Sequence, residues 1–359
     1  MTQLTADIRV DNPYSAGLLA KRTPWVILAG SVLVALVAFW LLSNAEGGGF
    51  NIVGALLVGA LLYTVVIYVV SYLIEGSRKA TDRLVTALVG GAFLLALLPL
   101  VSLVFTVVTN GSNRFDIEFF THSMRNVVGA GGGAVHAIVG TVLMTLTAAV
   151  ISVPIGLMTS IYLVEYGRGP LARAITFFVD VMTGIPSIVA GLFAYSVFAI
   201  FFGPGIKLGI AGAIALSVLM IPVVVRSSED MLKLVPNELR EAAYALGVPK
   251  WLTVVKVVLP TSIAGIMTGV MLAIARVIGE TAPLLIAAGF TNNLNYNMVE
   301  GRMQSLPVMV YNQYVSQGTD PQAYLDRAWA GALTLILIVM VLNLAARIIA
   351  KVFAPKTGR

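Results

Sequence analysis

The chain is 359 residues long, 58% hydrophobic and 11% charged, with a mean hydropathy of +0.92. An ordinary soluble domain carries about 25% charged residues, so this composition excludes a soluble globular protein and points to lipid. The absence of cysteine excludes disulfides and thiolate metal sites, and the net charge of +6 does not imply a nucleic-acid partner, because the basic residues sit between long apolar runs.

The first 24 residues are polar and include Asp7 and Asp11. No cleavage-like signal follows, so the first apolar stretch is expected to be a retained membrane span. A transmembrane helix needs roughly 20 apolar residues to cross about 30 Å of hydrocarbon. Eight stretches qualify: 25–43, 52–74, 84–108, 137–163, 175–202, 208–226, 257–289 and 328–347. Glycine and alanine interspersed through them suit helices packed closely in lipid, and the alternating segments of a membrane barrel are missing. The expected fold is therefore all-α and polytopic, with about eight transmembrane helices.

Basic residues are enriched in cytoplasmic loops. With the N-terminus inside, 17 of the 23 Lys and Arg residues fall in inside segments and five outside, the remaining one being Arg276. Both termini are expected to be cytoplasmic.

Two stretches exceed a simple crossing. The run from Val257 to Phe290 would be about 51 Å long as one helix, so either its start lies along the interface or it breaks near Gly279 and Pro283. Gly184-Ile-Pro186-Ser in the fifth stretch allows either a break or a packing kink. On the outside, 109–136 contains the glycine run Gly129-Ala-Gly-Gly-Gly133, read as flexible. The segment 291–327 carries Tyr296, Tyr311, Tyr314 and Tyr324, better explained as boundary residues than as a docking surface.

Arg276 and Glu280 are the ionisable residues of the 257–290 run. Four residues apart on a helix, they would share a face and pair. A charge at the bilayer centre costs about 2.5–3.5 kcal/mol on insertion scales, bearable where the side chain faces a wet path or a partner. The favoured reading is a guanidinium that hydrogen-bonds an oxyanion in transit, with Glu280 offsetting its charge so that the anion is released. The alternative is an ion pair that fixes helix register. The hydroxyls of Thr183, Ser187 and Thr281 serve a passing anion or a neighbouring helix equally well.

Upstream, Pro236 to Gly247 reads as a short helix with Glu238 and Glu241 in its first turns and Gly247 and Pro249 stopping it. Small Ala242 and Ala243 leave a low face. Periodicity alone does not separate a helix that slots into another protein from an ordinary interfacial one. Asp180 is expected to cap near the interface. His122 and His136 have no carboxylate cluster beside them, and no metal site is expected. No Gly-x-x-x-x-Gly-Lys-[Ser/Thr] occurs, so this chain does not cradle a nucleotide by a P-loop.

Glu241-Ala242-Ala243, three residues, Gly247, nine residues, Val257 and then Leu259-Pro260 resembles the EAA loop of bacterial ABC-importer permeases. Val257 stands where isoleucine is more usual. Over about 84–353, Ala137-Ile-Val-Gly-Thr141, Ile151-Ser-Val-Pro-Ile-Gly156, Ile161-Tyr-Leu-Val-Glu-Tyr-Gly167, Thr183-Gly-Ile-Pro-Ser-Ile-Val-Ala-Gly191 and Ala275-Arg-Val-Ile-Gly-Glu-Thr-Ala-Pro-Leu-Leu285 resemble phosphate-importer permeases. The Glu-Thr-Ala-Pro-Leu-Leu form is that of the PstA-type subunits.

The resemblance implies a six-helix permease domain, 77–359, with a cytoplasmic coupling loop at 227–256. The region 1–76, with two predicted helices, is an extension outside that pattern. It implies a non-enzymatic membrane permease subunit of an ATP-driven importer for inorganic phosphate in the bacterial cytoplasmic membrane. Its implied partners are a second, PstC-type permease, two ATP-binding subunits that carry ATP and Mg, and an extracytoplasmic phosphate-binding protein. Arg276, Glu280 and Thr281 would serve translocation, and Glu241, Ala242, Ala243 and Gly247 would couple to the ATPase. Rival readings are a permease for sulfate or molybdate, and an ATP-independent secondary anion transporter.

Overall fold

The computed structural model describes residues 19–46 and 50–353. The polar N-terminal segment through residue 18 and residues 354–359 lie outside the described residues, so the expected placement of both termini does too. Every regular element among the described residues is helical. Among the described residues seven helices are long and apolar enough to cross a membrane, or eight spans if a bent pair is counted as one.

The chain forms two compact units, Met1–Val104 and Phe105–Arg359, which divide inside the third helix. In the first unit α1 (Thr23–Glu46) and α2 (Ile52–Glu75) form a hairpin. Asn51 starts α2 by accepting a hydrogen bond from the Gly54 amide, 2.9 Å, as an N-cap residue does. Ala35, Ala55 and Gly59 let the two backbones approach. At the turn into α3 (Ser77–Gly111) the buried Glu75 carboxylate accepts from Arg83 Nε and Nη2, Ser71 Oγ and the Leu19 amide at 2.6–2.9 Å. A carboxylate bound by that many donors keeps its charge without water. The large apolar side chains of α3 are mostly exposed, as a lipid-facing helix requires.

The second unit is built around α8 (Gly209–Lys233), the most buried of the candidate spans. Its small residues, Ala211, Gly212, Ala213, Ala215 and Ser217, are buried on several faces, which lets neighbours close on every side. Against it lies α5 (Val135–Ile161), where a Cβ on Gly156 would come within 2.7 Å of Val224. On another side lies α11 (Leu259–Val277), where Gly269 abuts Ser227. Met144, Leu216, Met220, Val224, Ile266 and Val270 form the heart of this core.

Between α3 and α5 runs a short α4 (Ile117–Thr121), capped by Asp116. The glycine run that follows it, expected to be flexible, is strapped down. Arg327 Nη1 donates to the carbonyls of Gly129 (2.7 Å) and Gly131 (3.0 Å), and Arg114 Nη2 donates to that of Gly132 (2.9 Å). Arg327 is 1% exposed and stacks on Tyr324. Glycines fit here because the chain turns through positive φ against neighbouring backbone.

The expected fifth span is two helices, α6 (Pro170–Thr183) and α7 (Ser187–Phe202), bent by 109° at Gly184-Ile-Pro186. Proline removes a helical hydrogen bond and disfavours helix in the residue before it, and here the result is a break. The 257–289 run also breaks: α11 ends at Val277 and α12 spans Ala282–Ala287. After α12, the expected outside loop folds back as α13 (Leu306–Val315), whose Leu306, Val308 and Met309 are buried. The last helix is α14 (Pro321–Phe353).

Candidate translocation and coupling site

Arg276 stands in the last turn of α11, where a cation is favoured by the helix dipole. Its residue is exposed, while Glu280 and Thr281 are half-buried. The expected Arg276–Glu280 ion pair does not form among the described residues. That expectation needed a continuous helix, and α11 stops at Val277, three residues short of Glu280. Glu280 lies in the break, its amide donating to the Val277 carbonyl at 3.1 Å. Thr281 is the N-cap of α12, with no side-chain capping bond.

The two broken spans lean on one another. A Cβ on Gly191 of α7 would come within 2.6 Å of Pro283 Cα, at the first turn of α12. The break places non-helical backbone beside a guanidinium and a carboxylate, which is tolerated at membrane depth along a wet cavity or inside protein.

Upstream of the 257–289 run, α9 (Asn237–Ala245) is the short helix expected between Pro236 and Gly247. It ends in a Schellman motif: Gly247, at φ +76°, donates to Tyr244 O, and Val248 donates to Ala243 O. Glu241, Ala242 and Gly247 are exposed, while Ala243 is buried against the body of the protein. Leu246, 83% exposed, extends the free face with Leu239 and Tyr244. Gly247→Val places a β-branched residue in left-handed backbone and is expected to cost about 1–2 kcal/mol. The check is hydrogen exchange at the Val248 amide, which should quicken; unchanged protection would mean that the cap tolerates the side chain.

The inner face of α9 carries Arg240, which reaches Glu165 at 2.8 Å. Glu165 belongs to a π-turn, Tyr162–Tyr166, that widens the end of α5. After α9 comes α10 (Lys250–Thr253), whose Lys250 donates to the Glu165 carbonyl and lies over the Tyr166 ring. Glu165 appeared in the sequence only as part of a motif, and Arg240 had no periodic signal. A chain of three further ion pairs runs along the end of α8: Asp180, expected as a cap, pairs with Arg226, Arg226 with Glu229, and Glu229 with Lys233.

At the other end of the second unit a cavity of about 320 Å³ is lined by Arg114, Gly131, Asp320, Asp326 and Arg327. His136 is buried, and among the described residues neither ring nitrogen has a hydrogen-bond partner. His122 contacts Thr121. Of the four tyrosines, Tyr296, Tyr311 and Tyr314 are exposed and Tyr324 is held against Arg327.

Residues 152–359 match the family model described as binding-protein-dependent transport system inner membrane component. The phosphate transport system permease protein PstA 1 of Mycobacterium tuberculosis H37Rv is 46% identical over 276 residues, 76% of this chain and 88% of the relative. The PstA protein of Yersinia pestis is 40% identical over 284 residues, 78% of this chain and 92% of the relative. Among solved structures, the inward-facing MetNI methionine ABC transporter aligns with a TM-score of 0.51 at 21% identity, covering 61% of this chain and 95% of that one. A bacterial alginate ABC transporter aligns with a TM-score of 0.55 at 12% identity, covering 80% and 100%. At such identity the structures speak for the fold alone, whereas the sequence relatives are near enough to place the protein. The chain belongs to the binding-protein-dependent transport system inner membrane components and, among them, to the PstA-type phosphate transport permeases.

Proposed function

We propose that this chain is the permease subunit of an ATP-driven importer that moves inorganic phosphate inward across the bacterial cytoplasmic membrane. Its transport domain is 77–359, and both termini face the cytoplasm. One observation carries the reading: a single run joins an exposed short helix, α9, to an exposed guanidinium at a helix break, Arg276. A helix that offers Leu239, Glu241, Ala242 and Leu246 to a partner can receive a push from an ATP-binding subunit. The break around Glu280 and Thr281 is where backbone and side chains would meet an anion. The face bearing Arg276, left uncovered by one chain, is the face a second permease subunit would close.

The ligand chemistry agrees. Phosphate is an oxyanion with acceptors spaced for the two-pronged donors of arginine. Glu280 supplies a competing negative charge, so binding stays weak enough for release. ATP and Mg belong to the partner subunits, of which two are needed, and an extracytoplasmic binding protein delivers the substrate.

Reconstituted with a second permease, its ATP-binding subunits and a phosphate-binding protein in proteoliposomes, the chain should import labelled phosphate only when ATP is supplied. Sulfate and molybdate in excess should leave that import unchanged. Uptake by this chain alone without ATP would support a secondary transporter instead, and displacement of phosphate by sulfate or molybdate would reassign the substrate.

A further inference from the structure

The inner face of α9 holds a junction that none of the translocation or docking residues explains. Arg240 uses all five of its N–H donors. Nε and Nη2 donate to Glu165 Oε1 at 3.0 and 2.8 Å, and Nη2 also reaches Leu232 O at 3.0 Å. Nη1 donates to Val235 O at 2.6 Å and to Asn237 Oδ1 at 3.4 Å. These acceptors come from four places: the π-turn at the end of α5, the last turn of α8, the linker that follows it at Val235, and the first residue of α9. The Leu232 carbonyl lies in the last turn of α8, where it accepts from the Val235 amide at 3.3 Å as well as from the guanidinium, so one side chain caps α8 and fastens α9 to the end of α5.

The junction is dry and doubly held. The side chains of Arg240 and Glu165 are 12% and 5% exposed, and Lys250, beyond the Schellman turn, grips the Glu165 main-chain carbonyl. Both sides of the α9 loop thus converge on one residue of α5. The junction is itself set in a π-turn, Tyr162–Tyr166, which carries Glu165, and a second π-turn, Val254–Val258, follows shortly after Lys250. A π-turn carries longer-range hydrogen bonds than the α-helix around it and recurs at functional positions. The lock therefore ties α9 to one π-turn and lies close in the chain to the other.

We propose that Arg240 and Glu165 are positioning residues for transport. They lock α9 to the ends of α5 and α8, so that displacement of α9 by the ATP-binding subunits moves the core helices instead of bending the loop. This inference rests on the transport reading above. A planar fork that makes five hydrogen bonds to four acceptors is not replaced by a lysine ammonium, which keeps the charge but offers three donors from a single point.

The test uses the full reconstituted assembly and reads phosphate imported per ATP hydrolysed. In Arg240→Lys and Glu165→Gln this ratio should fall on the order of tenfold or more, the scale of a coupling free energy between sites. Lys250→Met, which removes only the outer grip, should lower the ratio in the same direction by less. An unchanged ratio in all three variants overturns the proposal. A parallel loss of membrane accumulation, hydrolysis and uptake at constant ratio overturns it too, because that is how a residue important only for stability behaves. If the unaltered assembly imports no phosphate, the transport reading itself fails, and that control is read before any variant.

Discussion

Arg276→Ala should lower phosphate uptake by the reconstituted assembly about tenfold to a hundredfold, while the amount of protein in the membrane stays the same. The magnitude follows from the chemistry assigned to the side chain. A hydrogen bond to a charged group contributes about 1.5–3 kcal/mol, and each 1.36 kcal/mol off a barrier is tenfold in rate. Folding of this chain should be spared because Arg276 is exposed on it and enters no ion pair among the described residues. Its removal leaves no buried carboxylate orphaned. Arg276→Lys should recover part of the uptake, since a point charge still attracts the anion but cannot bind it in two-pronged fashion. Uptake equal to that of the unaltered chain in Arg276→Ala would take the residue out of the path.

How far the sequence reaches can be judged from particular elements. The spans were legible because lipid imposes a single demand, a long apolar helix, that reads directly as composition: 52–74 became Ile52–Glu75, and 208–226 became Gly209–Lys233. The end of α9 was legible because its stop signal is local, a glycine followed by a proline. The interactions that escaped were long-range. Arg240 and Glu165 are 75 residues apart, and Arg327 and Gly129 are 198 apart, so no periodicity links either pair. The same ignorance of distant partners made the glycine run look flexible. The Arg276–Glu280 pair failed for the opposite reason: a local rule was applied across a helix end. The inward fold of α13 did carry a signal, Ser305-Leu306-Pro307, a cap residue followed by proline in the first turn. It was masked by the polar character of the surrounding segment.

The α5–α13 contact also yields the largest expected effect on stability, at Gly140. A Cβ there would overlap the Gln304 carbonyl oxygen and sit 3.0 Å from both the Gln304 carbonyl carbon and Met303 Cγ. Backbone cannot swing aside as a flexible side chain can, so Gly140→Ala must push the 303–305 segment away from α5. One residue on, the buried Thr141 hydroxyl donates to Ala137 O and accepts from the Leu306 amide, both at 2.7 Å. The same displacement would break that second bond and strand a buried amide at the start of α13. Overpacking costs about 1–3 kcal/mol, and an unsatisfied buried donor adds about 1–3 kcal/mol. Gly140→Ala should therefore accumulate poorly in membranes and lose order at a markedly lower temperature in detergent. Thr141→Val, which removes only the hydroxyl, should show the smaller part of the effect. Gly90→Ala on α3 has nothing within 4 Å of the added methyl and should behave like the unaltered chain. If Gly140→Ala is as stable as Gly90→Ala, then α13 is not seated on α5 in the way described, and the inward fold of that segment is wrong.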